Sequence, residues 1–190
     1  MQRFHRIAAA LSLACAILAG PAAAQEKKEE TKAAAADVKA SILFQIKAAE
    51  DKLVQLAEAT PADKFGWRPA EGVRSIGEVY AHVAGGNYFL PTFWGAKVPE
   101  GVDPRSFEKN GNDKAATIAA MKKSFDYVRE QINALSAADL DRAIKIFGND
   151  AHVIDAAMIL ASHGHEHLGQ AIAYARSNKI TPPWSQRGGE

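Results

Sequence analysis

Cysteine is almost absent: the 190-residue chain has one, Cys15, inside an apolar run near its start. Met1 to Gln25 reads as a secretory signal, with Arg3 and Arg6, an apolar stretch from Ile7 to Ala19, and Ala22-Ala23-Ala24 before Gln25. Cleavage is expected after Ala24. Ser12-Leu13-Ala14 ahead of Cys15 is a poor match to a lipoprotein cleavage site, so no lipid anchor is expected. Loss of the signal leaves a chain without cysteine. That excludes disulfides, a thiolate nucleophile and thiolate metal ligands, so any metal is expected to be held by nitrogen and oxygen.

Two further shortages narrow the function. No later segment approaches the roughly 20 apolar residues of a membrane-spanning helix. Nor is there an excess of one charge: Lys and Arg number 23 against 22 Asp and Glu, and losing Arg3 and Arg6 with no acid turns +1 into about −1. A nucleic-acid footprint needs a strong basic excess, so nucleic acid is not an expected partner. The export signal looks bacterial. The expected location is the periplasm where the cell has an outer membrane, and outside the cell otherwise.

What is present is helical periodicity. Residues 25–36 are Lys, Glu and Ala without an apolar face, the composition of a flexible charged tether or a frayed helical lead-in. The domain proper is expected over 37–190. Ile42, Ile46, Ala49, Leu53 and Leu56 recur at spacings of four, three, four and three, the stripe of a core-facing helix that Thr60-Pro61 ends. Ser75-x-x-Glu78 predicts a capping box opening a second helix, with Ile76, Val79, Val83 and Phe89 inward until Pro91. Gly95 to Gly111, rich in Gly, Pro and charge, is the longest irregular connection, with the length of a crossover. A third helix starts near Asn112 or Asp113 and carries Ile118, Met121, Phe125, Val128, Ile132 and Leu135. Ser136 to Leu140 resembles another capped turn, and a segment without clear pattern ends at Gly148. The last helix is expected after Asn149-Asp150 to about Ser177, before Pro182-Pro183. Four amphipathic helices and no convincing alternating strand predict an all-α four-helix bundle.

The last helix carries the informative irregularity. Its seam of Val153, Ala156, Leu160, His163, His167, Gln170 and Tyr174 changes from apolar to polar halfway along. Inward polar groups cost on the order of 1–3 kcal/mol each when unpaired, so two inward histidines need a shared partner. At i and i+4 their imidazoles project from one face, about 6 Å apart at their bases. From there both can converge on one zinc, nickel, copper or iron ion. The same spacing also occurs on solvated faces. His165 points to the opposite side, His152 lies about 16 Å away along the axis, and His5 leaves with the signal. His82 is the remaining candidate from another helix, bordering the stripe of Ile76, Val79 and Val83. Its ordinary reading is a boundary histidine bonded to a backbone carbonyl or to Glu78.

A set of motifs bears on that choice. Trp67-Arg68-Pro69 lies in a loop, Ser75-Ile76-Gly77-Glu78 leads to His82, and His163-Gly164-His165-Glu166-His167-Leu168-Gly169-Gln170 precedes Tyr174-Ala175-Arg176 and Pro182-Pro183-Trp184-Ser185. In order and separation they resemble the DinB-like (DinB/YfiT-like) metalloenzyme family from about residue 40 to about residue 185. The resemblance implies a DinB-like four-helix bundle with a long crossover, His82, His163 and His167 as ligands of one divalent transition metal (zinc, nickel or iron), and a homodimer.

Three neutral histidines leave coordination positions for water or substrate, as catalytic sites do. Glu78 and Gln170 are the candidates for orienting the ligands, and Glu166 is a candidate base if its face turns inward. Trp67, Arg68, Arg74, Tyr88, Trp94 and Trp184 are the candidates for lining the mouth, an arginine holding an anionic group. The resemblance points to hydrolysis at the metal or to thiol-dependent transfer or isomerisation. Low-molecular-weight thiols are mostly cytoplasmic, so export favours a metal-dependent hydrolase of a small molecule. The alternatives are a non-catalytic bundle that binds metal or a small ligand, and histidines that are only satisfied core groups.

Overall fold

The structure, a computed structural model, describes residues 21–185; the expected signal peptide at 1–24 falls almost wholly outside them. The chain forms α1 (Pro21–Ala59), α2 (Ile76–Phe89), α3 (Lys114–Ala134), the single turn α4 (Ala137–Leu140), a hairpin of β1 (Ala143–Ile146) and β2 (Asn149–His152), and α5 (Val153–Ser177). Short 3-10 turns cover Leu90–Trp94 and Phe107–Asn110. Among the described residues no helix is long and apolar enough to cross a membrane.

The long helices form the bundle, and each starts or stops for a local reason. Ser75 and Glu78 form the predicted capping box: the Glu78 N–H donates to Ser75 Oγ at 3.2 Å and the Ser75 N–H to Glu78 Oε2 at 2.6 Å. Asp113 accepts from the Ala116 N–H at 3.0 Å and opens α3. Lysines close two C-termini across the antiparallel α1/α3 pair. Lys114 donates to the carbonyls of Glu58 and Thr60, and Lys39 to those of Asn133 and Leu135, where cations meet the negative end of the helix dipole.

The apolar stripes of α1, α3 and α5 lie inward as expected, with Leu53, Leu56, Met121, Val128, Ile132 and Val153 fully buried in one core. Residues 25–34 are helical and exposed, one of the two forms expected of the lead-in, because Ala, Glu and Lys favour helix even without a face to bury. Two features differ from the sequence reading. Phe89 is not inward but 38% exposed, since α2 ends there and the chain turns away at Pro91. The segment before the last helix is a two-stranded hairpin, pairing Ala143 with His152 and Ile146 with Asn149, so α5 begins at Val153.

Neighbouring contacts fix the directions. Asn87 of α2 donates to Ser124 of α3 at 3.0 Å, and Tyr88 packs on Tyr127, while the start of α2 at Gly77 touches Gly111 just before α3. Helices α2 and α3 are therefore parallel neighbours. Their connection must return along the whole of α2, about 21 Å for its 14 residues. It does so in close contact: Pro104 lies against Gly85, Glu108 against His82, and Gly111 against Gly77. This is the long crossover expected between Gly95 and Gly111. Helix α5 runs antiparallel to α2, which brings His163 opposite His82.

Candidate metal centre

Two helices deliver three imidazoles to one point. His163 and His167 stand one turn apart on the inner face of α5, and His82 faces them from α2. One nitrogen from each lies within 4.8 Å of the others. Ring centroids are 4.5 Å apart for His163 and His167, 4.6 Å for His82 and His167, and 5.1 Å for His82 and His163. Room for the His163 ring comes from Gly86 on α2, where a Cβ would stand 2.4 Å from His163 Cε1.

The outer nitrogens of two rings are fixed. His82 Nδ1 lies 2.7 Å from Glu108 Oε1; a carboxylate only accepts, so the imidazole donates through Nδ1 and keeps Nε2 as a lone pair. His167 Nδ1 donates to Gln170 Oε1 at 2.9 Å, and Gln170 Nε2 donates to the Tyr174 hydroxyl at 3.0 Å. Such bonds set the tautomer and orientation of metal-binding histidines. His163 lacks that anchor. Its Nδ1 is buried without a hydrogen-bond partner among the described residues, and its Nε2 faces His82 Nε2 at 3.2 Å. Protein groups alone therefore leave this buried ring incompletely satisfied, while three converging nitrogen donors fit a borderline transition ion.

Electrostatics favour the neutral form of His163 and His82. Burial, reinforced by His167, His82 and Arg74, pushes the His163 pKa down to about 3. Burial also lowers that of His82, against the Glu108 hydrogen bond, which pulls it up. For Glu108 burial acts upward, but the bonds from Arg74 and His82 outweigh it and hold the carboxyl below its ordinary range. Neutral imidazole is the form that binds metal.

Glu108 is the residue the sequence reading missed, and it takes the place expected of Glu78. Arg74 grips it from outside, Nε to Oε2 at 2.9 Å and Nη2 to Oε1 at 3.2 Å, so Arg74 serves a carboxylate of the protein. Glu78 is occupied by its capping box and by Arg68 at 2.9 Å, because its place in the first turn aims it back at Ser75. Gln170 stands where expected. Glu166 is exposed to solvent on α5. His165 turns toward α1, with Nε2 3.1 Å from the Gln45 carbonyl oxygen.

The aromatic candidates separate. Trp67 packs edge-on against Tyr174 at 5.5 Å and so joins the Tyr174-Gln170-His167 chain. Tyr88 is buried against Phe107 and Tyr127, and Trp94 is buried with its carbonyl accepting from Arg142, so both are packing residues. Trp184 lies half-buried beneath Lys52, beyond the end of α5.

Glu108→Gln is expected to weaken zinc binding about 10- to 100-fold, the usual cost of removing a partner behind a ligand. Competition with a chromophoric chelator measures it; unchanged affinity would detach Glu108 from the centre.

The DinB superfamily model matches residues 45–171, a span that includes all three histidines. Among solved structures, a DinB-like protein from Bacillus cereus ATCC 10987 is similar at TM-score 0.51 and 16% identity, covering 75% of this chain and 93% of its own. A DinB-like protein (YjoA) from Bacillus subtilis aligns at TM-score 0.51 and 18% identity, covering 74% and 94%. At these identities the likeness concerns the fold. No curated protein matches the chain.

Proposed function

The chain belongs to the DinB superfamily, and on that premise we propose that it is an exported, metal-dependent hydrolase of a small molecule, with His82, His163 and His167 as ligands of one zinc, nickel or iron ion. The observation that carries this reading is the convergence of three imidazole nitrogens within 4.8 Å of one another, two of them on rings whose outer nitrogens are held by Glu108 and Gln170. When bound, a divalent ion there polarises a carbonyl or phosphoryl oxygen and makes water acidic enough to attack near neutral pH. The chain's own groups do the rest. Glu108 holds the His82 ring and, being charged, raises its basicity as a donor; Gln170 holds His167; Arg74 keeps Glu108 ionised. Three protein ligands leave positions open, as hydrolytic sites require and closed structural sites do not.

Export rests on the N-terminal pattern of Arg3, Arg6 and the apolar run, and a homodimer on the family resemblance. The test of chemistry is a screen of the metal-loaded protein against ester, amide, lactone and phosphoester substrates, beside His82→Ala and His167→Ala. Hydrolysis of one class, lost at least a hundredfold in both variants, is expected for a site that assembles the reaction geometry. Metal uptake without turnover of any class would make the protein a binder; activity unaffected by losing His167 would place the reaction elsewhere.

A further inference from the structure

Phe147 is in the wrong place for a structural phenylalanine. It occupies the tip of the hairpin with φ +49° next to Gly148 at +87°, and Ile146 pairs with Asn149 across them. Two successive positive φ angles in a two-residue loop mark a type I′ turn, whose first position favours Asn, Asp or Gly and penalises a bulky side chain. The ring is also 68% exposed. Neither backbone preference nor burial explains it. It nevertheless has organised company: Phe93 meets it edge-on at 4.9 Å, Phe89 lies 6.4 Å away, and Phe89 and Phe93 are edge-on at 5.4 Å.

This cluster is continuous with the histidines. Phe89 follows His82 by seven residues on α2, which returns it to nearly the same azimuth about 10 Å along the axis. Gly86 stands between them, and in place of a side chain of its own the face there carries the His163 ring. On the opposing α5, which runs the other way, Ile159 lies one turn from His163 in the direction of Phe89 and is 37% exposed. His82 keeps 26% of its side chain open. A polar end at the histidines thus passes, over about 10 Å, into an open shelf of Phe89, Phe93, Phe147 and Ile159.

We propose that this shelf binds the apolar part of the substrate, so that the protein acts on small molecules carrying a medium-length acyl chain or an aryl group of similar reach, with the reacting group at the histidines. The inference rests on the hydrolytic reading for the identity of the polar end. The occupant is a small molecule, not a protein or membrane, because the shelf shares one face of α2 with a site of that scale and meets it at the His163 ring. Backbone strain at Phe147 is then retained for binding, as strained residues often are at functional sites.

The test compares acetohydroxamate with octanohydroxamate, with and without zinc, on the full chain and on Phe147→Asn and Phe89→Ser. Calorimetry reads affinity, histidine ring NMR signals read location, and thermal melts read stability. With zinc, the longer ligand is expected to bind at least about tenfold tighter, a conservative figure for six added methylenes. That preference should fall below about threefold in both variants, while Phe147→Asn melts no lower than the parent, since Asn suits the turn. Without zinc, octanohydroxamate should still bind weakly, with the same dependence on the two phenylalanines and with shifts of the His82 and His163 signals. Failure to take up zinc would defeat the hydrolytic reading alone, and the zinc-free titration would still decide this one. The proposal is overturned if the preference survives both substitutions, if it vanishes only with a lowered melting temperature, or if ring signals stay fixed while the ligand binds. It is equally overturned if Phe147→Asn converts a dimer to a monomer, or abolishes binding to phosphatidylglycerol vesicles, with the ligand preference intact.

Discussion

His163→Ala should reduce bound zinc from about one ion per chain to less than a tenth under the same loading and dialysis. Losing a partner behind a ligand typically costs 10- to 100-fold in affinity, and losing the ligand itself should exceed that. His163 is the strongest choice among the three because, among the described residues, no hydrogen bond explains its burial: Nδ1 has no partner there and Nε2 meets another histidine. A histidine kept for packing would behave differently. Its removal would lower stability equally with and without metal, whereas a ligand's removal should abolish the zinc-dependent rise in melting temperature, since binding to the folded state alone produces that rise. Elemental analysis and melts with and without zinc decide the matter. Equal metal content in parent and variant would sink the centre.

The second large effect concerns the fold and has a diagnostic sign. Gly77→Ala in the first turn of α2 would stabilise an ordinary helix by up to about 1 kcal/mol. Here the added Cβ would sit 1.9 Å from the Gly111 carbonyl oxygen and 2.8 Å from the Phe65 ring. The nearest obstacle is backbone, so the crossover itself must lift away. Overpacking typically costs about 1–3 kcal/mol, and an obstacle made of backbone puts this case at the upper end; about 3 kcal/mol in a chain of this size lowers the melting temperature by about 6–12 °C. The displaced segment also carries Glu108, three residues before Gly111, so metal affinity should fall together with stability. Scanning calorimetry and a chelator competition test both. A variant as stable as the parent would mean that the crossover is not docked through this contact.

The helices were legible because burial on one face imposes a period: Ile42 to Leu56 and Met121 to Leu135 can be read as stripes and lie inward. The inward direction of His163 and His167 follows from the same stripe. His82 could not be chosen that way, since a boundary position on α2 fits several partners, and only the family resemblance singled it out. Glu108 was invisible for a related reason. It lies in a connection without periodicity, and its position is set by how that connection returns along α2, a tertiary fact with no local signature. The one available cue was the set of glycines 77, 85, 86 and 111. Three of them, Gly77, Gly85 and Gly111, mark where crossover and helix backbones touch, and Gly86 marks where the His163 ring needs room. Glu78 was misassigned because one carboxylate was asked to serve both as cap and as histidine partner, and the capping geometry excludes the other role. The hairpin escaped notice because Phe147-Gly148 is not a pair that announces a tight turn.

The parallel pairing of α2 with α3 has a kinetic consequence. His82 and His163 are 81 residues apart in sequence, and the carboxylate behind His82 arrives 26 residues later on a strap that can settle only after both helices are in place. Contacts that close such long loops form late in folding. An ion held there would act as a removable cross-link, made after the rate-limiting step and broken before it in reverse. Loading the centre should therefore leave the refolding rate nearly unchanged and slow unfolding, giving the protein a longer lifetime rather than a faster birth.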